Sequence, residues 1–215
     1  MRIEYLQRGK PNLIVYFAGW GTSPSVVSHL ELGDQYDLLI CYDYRDLQLD
    51  FDFSPYQHIY LVAWSMGVWI AEQVMQQIPL SKAIAINGTS FPSDDQFGIP
   101  KQIFTGTLAG LDEANRHKFE RRMCQSKAVL ADYQQRADYR SLADIYQELA
   151  YLAEQIELRP QVPFNWDIAW IATQDRIFPV ENQRAYWQDR CQIRTIEAGH
   201  YAFPYLKTWQ ALWQE

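Results

Sequence analysis

Six short apolar segments, each running into turn or helix text, constrain this chain most strongly. They are Leu13–Ala18 (LIVYFA), Asp37–Tyr42 (DLLICY), His58–Ala63 (HIYLVA), Lys82–Ile86 (KAIAI), Asp167–Ala172 (DIAWIA) and Cys191–Ile196 (CQIRTI). Most are dense in β-branched and aromatic residues and lack clean alternation with polar ones. That is the pattern of strands buried on both faces, as in a parallel sheet. Helical text separates them at Met66–Gln77 and Glu181–Gln188, and a further helix is expected at Tyr201–Trp213. Strand alternating with helix predicts an α/β fold with a mostly parallel, doubly wound sheet.

One interval breaks this rhythm. No buried strand is legible between Thr89 and Pro163. FPSDDQFGIP is turn-rich. Leu111–Leu158 then reads as helical, without glycine or proline and with apolar residues recurring at spacings of three and four. This stretch is too long for one crossover helix, so a helical cap is expected over residues 91–162. Residues 1–90 and 163–215 then form the core of a single domain.

Composition narrows the function. The chain has 215 residues, 48% hydrophobic and 15% aromatic, with a formal net charge of −7. An acidic chain of this kind argues against nucleic acid or an anionic membrane as the main partner. Residues 101–140 are the exception, with eight Lys/Arg against five Asp/Glu. A basic cap on an acidic body can receive an acidic partner; a solvated basic helix face is the plainer alternative. Cys41, Cys124 and Cys191 are scattered and form no CxxC pair, so neither a disulfide framework nor a zinc site is suggested. MRIEYLQRGKP lacks the apolar core of a signal peptide, and no apolar run approaches the ~18–20 residues that span a bilayer. A soluble, cytoplasmic, monomeric protein without metal or organic cofactor is expected.

The sharpest local signal is HIYLVAWSMGVWIAEQV, in which a strand runs through Ala63-Trp64-Ser65-Met66-Gly67 directly into a helix. A nucleophile elbow needs this context, with small residues two before and two after the serine because the turn is tight. The usual pattern is G-x-S-x-G; here Ala63 stands first, adding only a methyl group. A serine that merely caps the helix is the alternative. Of the four histidines, His200 in EAGHY follows the last strand, whereas His58 opens a strand and His117 lies in the helical insertion. Asp175 leaves the end of the fifth apolar segment, which is the functional edge of such a sheet. The chain order Ser65, Asp175, His200 is that of the α/β-hydrolase fold, with Ser65 as nucleophile, His200 as base and Asp175 orienting it. Oxyanion donors are expected at the backbone N–H groups of Met66 and of Trp20, in the loop Phe17-Ala18-Gly19-Trp20-Gly21. Trp20 and Trp64 can wall a substrate pocket or simply pack in the core.

FAGWG, AWSMG, TQDRIFP and EAGHYAFPYL together resemble the short esterases of biotin synthesis, the pimeloyl-acyl-carrier-protein methyl ester esterases of the BioG type. The resemblance covers essentially the whole chain. It implies hydrolysis of the methyl ester on pimeloyl-acyl carrier protein, giving methanol and the carrier-bound acid. It also implies Ser65, Asp175 and His200 as triad and Trp20 and Met66 as oxyanion donors. Many relatives of the wider fold carry His-Gly in the first loop, where this chain has Ala18-Gly19. The acidic carrier makes Arg116, Lys118, Arg121, Arg122, Lys127, Arg136 and Arg140 candidate contacts. The same triad would also serve a thioesterase or a small-molecule carboxylesterase, and a non-catalytic acyl-carrier-binding module is a reading of a different class.

Overall fold

The computed structural model describes residues 1–214. Six parallel strands form the sheet: β2 (Asn12–Phe17), β3 (Tyr36–Tyr42), β4 (His58–Trp64), β5 (Lys82–Ile86), β6 (Ile168–Ala172) and β7 (Gln192–Ile196). A seventh, β1 (Arg2–Leu6), pairs antiparallel with β3, giving the order β1-β3-β2-β4-β5-β6-β7. The six apolar segments therefore all lie on strands. β1 was not legible in the sequence because it is an exposed edge strand, and RIEYL carries no buried run. Leu13 to Phe17 at the sheet centre are fully buried, as strands covered on both faces must be.

Helix α1 (Gly67–Val74) follows β4, and α6 (Val180–Trp187) lies between β6 and β7. The helix expected over Tyr201–Trp213 is not there. Two 3₁₀ turns, Phe203–Tyr205 and Trp209–Leu212, take its place, separated by extended backbone at Leu206. Pro204 cannot donate within a helix, and the Thr208 side chain caps the second turn by accepting from Ala211 N–H at 3.2 Å.

Four helices lie between β5 and β6: α2 (Lys101–Ala109), α3 (Glu113–Cys124), α4 (Lys127–Arg136) and α5 (Leu142–Leu158). The continuous helical text of 111–158 is cut twice without glycine or proline. Ser126 and Ser141 each turn their hydroxyl onto the N–H three residues on, at 3.1 Å, and Gln125 takes a φ of +68° to end α3. Short polar side chains thus restart the helix in new directions. α2 was not anticipated, because Thr105, Gly106 and Thr107 are poor helix formers.

α1 carries a buried acid. Glu72 is 1% exposed; one carboxylate oxygen accepts from Trp166 Nε1 at 2.8 Å and from the Ser90 hydroxyl, which in turn accepts from Tyr186 O–H. The other oxygen has no partner among the described residues. Burial pushes the carboxyl up to about 7 from its ordinary 4.5. The folded protein therefore holds this proton where the unfolded chain has lost it. The resulting stability is full below about pH 4.5 and lost as pH rises through about 7, a span worth about 3 kcal/mol. Glu72→Gln keeps the shape and cannot ionise. Its stability relative to wild type is expected to rise by about 2 kcal/mol between pH 5 and pH 8. Urea unfolding at both pH values tests this; equal differences at the two would rule it out.

Candidate active site

The C-terminal ends of β2, β4, β5, β6 and β7 meet along one edge of the sheet, and each contributes to a single cluster. Ser65 sits between β4 and α1 with φ of +60°, a left-handed conformation unusual for a residue with a Cβ. The elbow is held by close backbone approaches. A Cβ on Gly67 would come within 2.5 Å of the Phe17 carbonyl oxygen. A Cβ on Gly88 would come within 2.2 Å of the Ser65 carbonyl oxygen. Ala63, whose methyl replaces the usual glycine, is fully buried and pairs in register with Phe17 and Ala85.

His200 follows β7 and is 1% exposed. Its Nε2 lies 2.9 Å from Ser65 Oγ, and its Nδ1 lies 2.8 Å from Asp175 Oδ2. An ionised carboxylate only accepts, so Nδ1 donates to Asp175 and Nε2 is free to accept the serine proton. The loop is held independently of the ring. The His200 carbonyl accepts from Trp64 Nε1 at 3.0 Å and Asn87 Nδ2 at 2.8 Å, and Phe178 stacks parallel to the imidazole at 6.0 Å.

Asp175 is saturated with donors. Oδ1 accepts from Ile177 N–H at 2.8 Å and Phe178 N–H at 3.1 Å, while Oδ2 accepts Gln183 Nε2 at 3.0 Å beside the histidine. Gln183, Asn87 and Gly88 carry no local sequence signal that marks them as part of this cluster. Asn87 also accepts from Ala172 N–H at 2.7 Å, so it ties the ends of β5 and β6 to the histidine loop.

Above the triad lies a narrow cleft walled chiefly by apolar side chains. Trp20, Trp64 and Met66 line it from the sheet edge, and Ile103, Phe119 and Met123 from α2 and α3. Trp64 thus does both things considered for it: it lines the cleft and, with Phe203, packs in the core. The N–H groups of Trp20 and Met66 donate to no protein acceptor among the described residues. Two unpaired amides flanking a hydroxyl–imidazole–carboxylate line can receive an oxyanion while the serine oxygen attacks a carbonyl.

The basic candidates divide. Arg122 lines the cleft and donates to the Arg176 carbonyl at 3.1 Å; Lys118, Arg121 and Lys127 are exposed. Arg116 is paired with Glu113 at 3.0 Å and lies over the Tyr139 ring, and Arg136 is paired with Asp132 at 2.8 Å. Arg140 corrects the expectation of a partner contact. Its side chain is 10% exposed and committed to Asp43 at 2.8 Å and Glu148 at 2.5 Å, so its charge is spent inside the molecule. Among the described residues, no group of three His, Cys, Asp or Glu side chains could hold a metal, and no helix is long and apolar enough to cross a membrane.

A family model described as "Pimeloyl-ACP methyl esterase BioG" matches residues 1–212. The crystal structure of BioG from Haemophilus influenzae is 49% identical, covers 100% of both chains and superposes with a TM-score of 0.97. A malonyl-[acyl-carrier protein] O-methyltransferase of Bacteroides fragilis is 43% identical over 198 residues, 90% of this chain but 40% of that protein. A lipase-esterase related protein from Clostridium acetobutylicum, 15% identical with 93% and 92% coverage and a TM-score of 0.65, shares the fold. The chain belongs to the BioG family of pimeloyl-ACP methyl esterases, hydrolases on the α/β-hydrolase fold.

Proposed function

We propose that this chain is a serine carboxylesterase that hydrolyses the methyl ester of pimeloyl-acyl carrier protein. The observation that carries this is the Ser65–His200–Asp175 line, at 2.9 and 2.8 Å, beneath an apolar cleft. His200 takes the Ser65 proton as Oγ attacks the ester carbonyl, and Asp175 stabilises the imidazolium. Trp20 and Met66 N–H groups hold the tetrahedral oxyanion. Methanol leaves with the proton from His200, and water then cleaves the acyl-enzyme by the reverse roles. All three triad residues come from one chain, so the catalytic unit we infer is a monomer.

A short dicarboxylate chain whose far end is neutralised by a methyl group suits an apolar wall. A wider groove continues outward past Phe119 and Arg122 toward Lys118. A pantetheine arm laid there would meet cationic groups at its phosphate, with an acidic carrier at the rim near Arg121 and Lys127. The Bacteroides fragilis relative supports the pairing. Its name assigns it methyl transfer to a carrier-bound acyl group, and it contains a region 43% identical to this chain.

The test is incubation with methyl pimeloyl-acyl carrier protein, followed by intact mass of the carrier. The expected product has lost one methylene mass and keeps its acyl chain. Release of the whole acyl group with a free carrier thiol would make the protein a thioesterase instead. An unchanged carrier alongside hydrolysis of simple esters would leave a small-molecule carboxylesterase.

A further inference from the structure

The insertion does more than roof the cleft. Glu148 on α5 is completely buried, and its carboxylate reaches down onto two loops at the sheet edge. Oε2 accepts the Gly21 N–H at 3.3 Å, and Oε1 accepts the Tyr44 N–H at 3.0 Å. Arg140 bridges the same carboxylate to Asp43, which is 2% exposed and also gripped by Arg45 at 2.7 Å. Arg45 in turn pairs with Asp144 in the first turn of α5. One turn from Glu148, the Ile145 carbonyl accepts Trp20 Nε1 at 2.8 Å.

Two features make this more than packing. Burying a carboxylate and a guanidinium costs more than an apolar contact of the same size, so simple adhesion of α5 does not need them. Their position is also specific. The Trp20 N–H leaves the peptide plane before Trp20 and the Gly21 N–H the plane after it. α5 thus holds Trp20 at its indole and at its following peptide, while the backbone N–H of Trp20, a residue that lines the cleft, is left without a protein acceptor among the described residues.

We infer that Glu148 is a positioning residue for the oxyanion hole, fixing the Trp20 N–H through its hold on Gly21. The inference rests on the esterase reading above. Glu148 touches no substrate. It sets the direction of a donor whose removal costs about 10²–10³-fold in turnover, and small misplacements cost up to about 10²-fold.

The test uses a chromogenic short-chain ester, which reports Ser65 chemistry whether or not the carrier is the physiological substrate. Active sites are counted by fluorophosphonate titration. Glu148→Leu keeps an apolar side chain of similar length but has no acceptor, and so releases both the Gly21 and the Tyr44 N–H. Its kcat per titrated site is expected to fall about 10- to 100-fold with KM nearly unchanged. Affinity for a trifluoromethyl ketone, which forms a tetrahedral oxyanion on the serine, should fall in parallel. Arg140→Lys keeps a positive charge beside Glu148 but cannot bridge it to Asp43; a several-fold fall with the same split is expected, and it serves if Glu148→Leu does not fold. Unchanged kcat per site, or a loss confined to KM or to the number of titratable sites, would overturn the inference while leaving the esterase reading intact. A wild type inert toward every ester would overturn both.

Discussion

Replacing Asp175 with asparagine is expected to lower kcat about 10⁴-fold while leaving the fold and KM in place. The reason lies in the donors around the carboxylate. Oδ1 receives two backbone N–H groups, from Ile177 and Phe178, and Oδ2 receives Gln183 Nε2 and His200 Nδ1. All four contacts need an acceptor, and an asparagine has one oxygen. The pair of backbone donors cannot rotate away, so the amide oxygen settles on them and the NH₂ faces His200. The imidazole then keeps its bond only by presenting Nδ1 as acceptor, which puts the proton on Nε2. In that tautomer the ring cannot take the Ser65 proton, although it remains 2.9 Å away in the wild-type geometry. Steady-state kinetics on the methyl ester, with folding checked by thermal unfolding, reads the effect. A loss below about tenfold would mean that Asp175 does not set the tautomer, and the role assigned to it would have to be withdrawn.

The part of this site legible in the sequence is the part dictated locally. A strand that turns at once into a helix must have small residues at the turn, so Ala63, Ser65 and Gly67 announce themselves within five positions. Asp175 and His200 were found from chain order, because in a parallel sheet each strand delivers its C-terminal loop to the same edge. Residues that act only through tertiary contact gave no such signal. Gly88 is required by the Ser65 carbonyl 23 positions away, and Asn87 by the His200 carbonyl. Gln183 is one of several polar residues on α6 until Asp175 is placed beside it.

Charge was the least legible property. The basic excess over residues 101–140 is real, but the sequence does not say where each side chain is neutralised. Arg140 finds Asp43, almost a hundred positions earlier, because α5 is laid across the loop after β3. Arg116 and Arg136 instead find acids three or four positions away on their own helices. Counting net charge along the chain treats all three as free.

Loss of the Ser65 hydroxyl is expected to separate activity from stability. Ser65→Ala and Ser65→Gly both remove the proposed nucleophile, and on the proposed esterase reading turnover of the methyl ester should fall about 10⁴-fold or more in each. Their stabilities should diverge. Ser65 holds φ of +60° in a turn where Gly67 lies against the Phe17 carbonyl and Gly88 against the Ser65 carbonyl, and an L-residue with a Cβ is strained there by roughly 1–2 kcal/mol. Alanine inherits the strain and loses only one hydrogen bond, to His200. Glycine adopts the conformation freely, though it surrenders part of the gain to the greater entropy of its unfolded chain. Ser65→Gly is therefore expected to be more stable than Ser65→Ala by about 1 kcal/mol, a Tm higher by about 2–4 °C for a domain of this size. Calorimetry on the two variants reads that difference directly. Equal Tm values would mean that the elbow carries no strain, and the tight approaches of Phe17 and Ser65 to the two glycines would need another explanation. A glycine variant that is inactive but more stable would show the protein giving up stability at Ser65 to present the hydroxyl to its substrate.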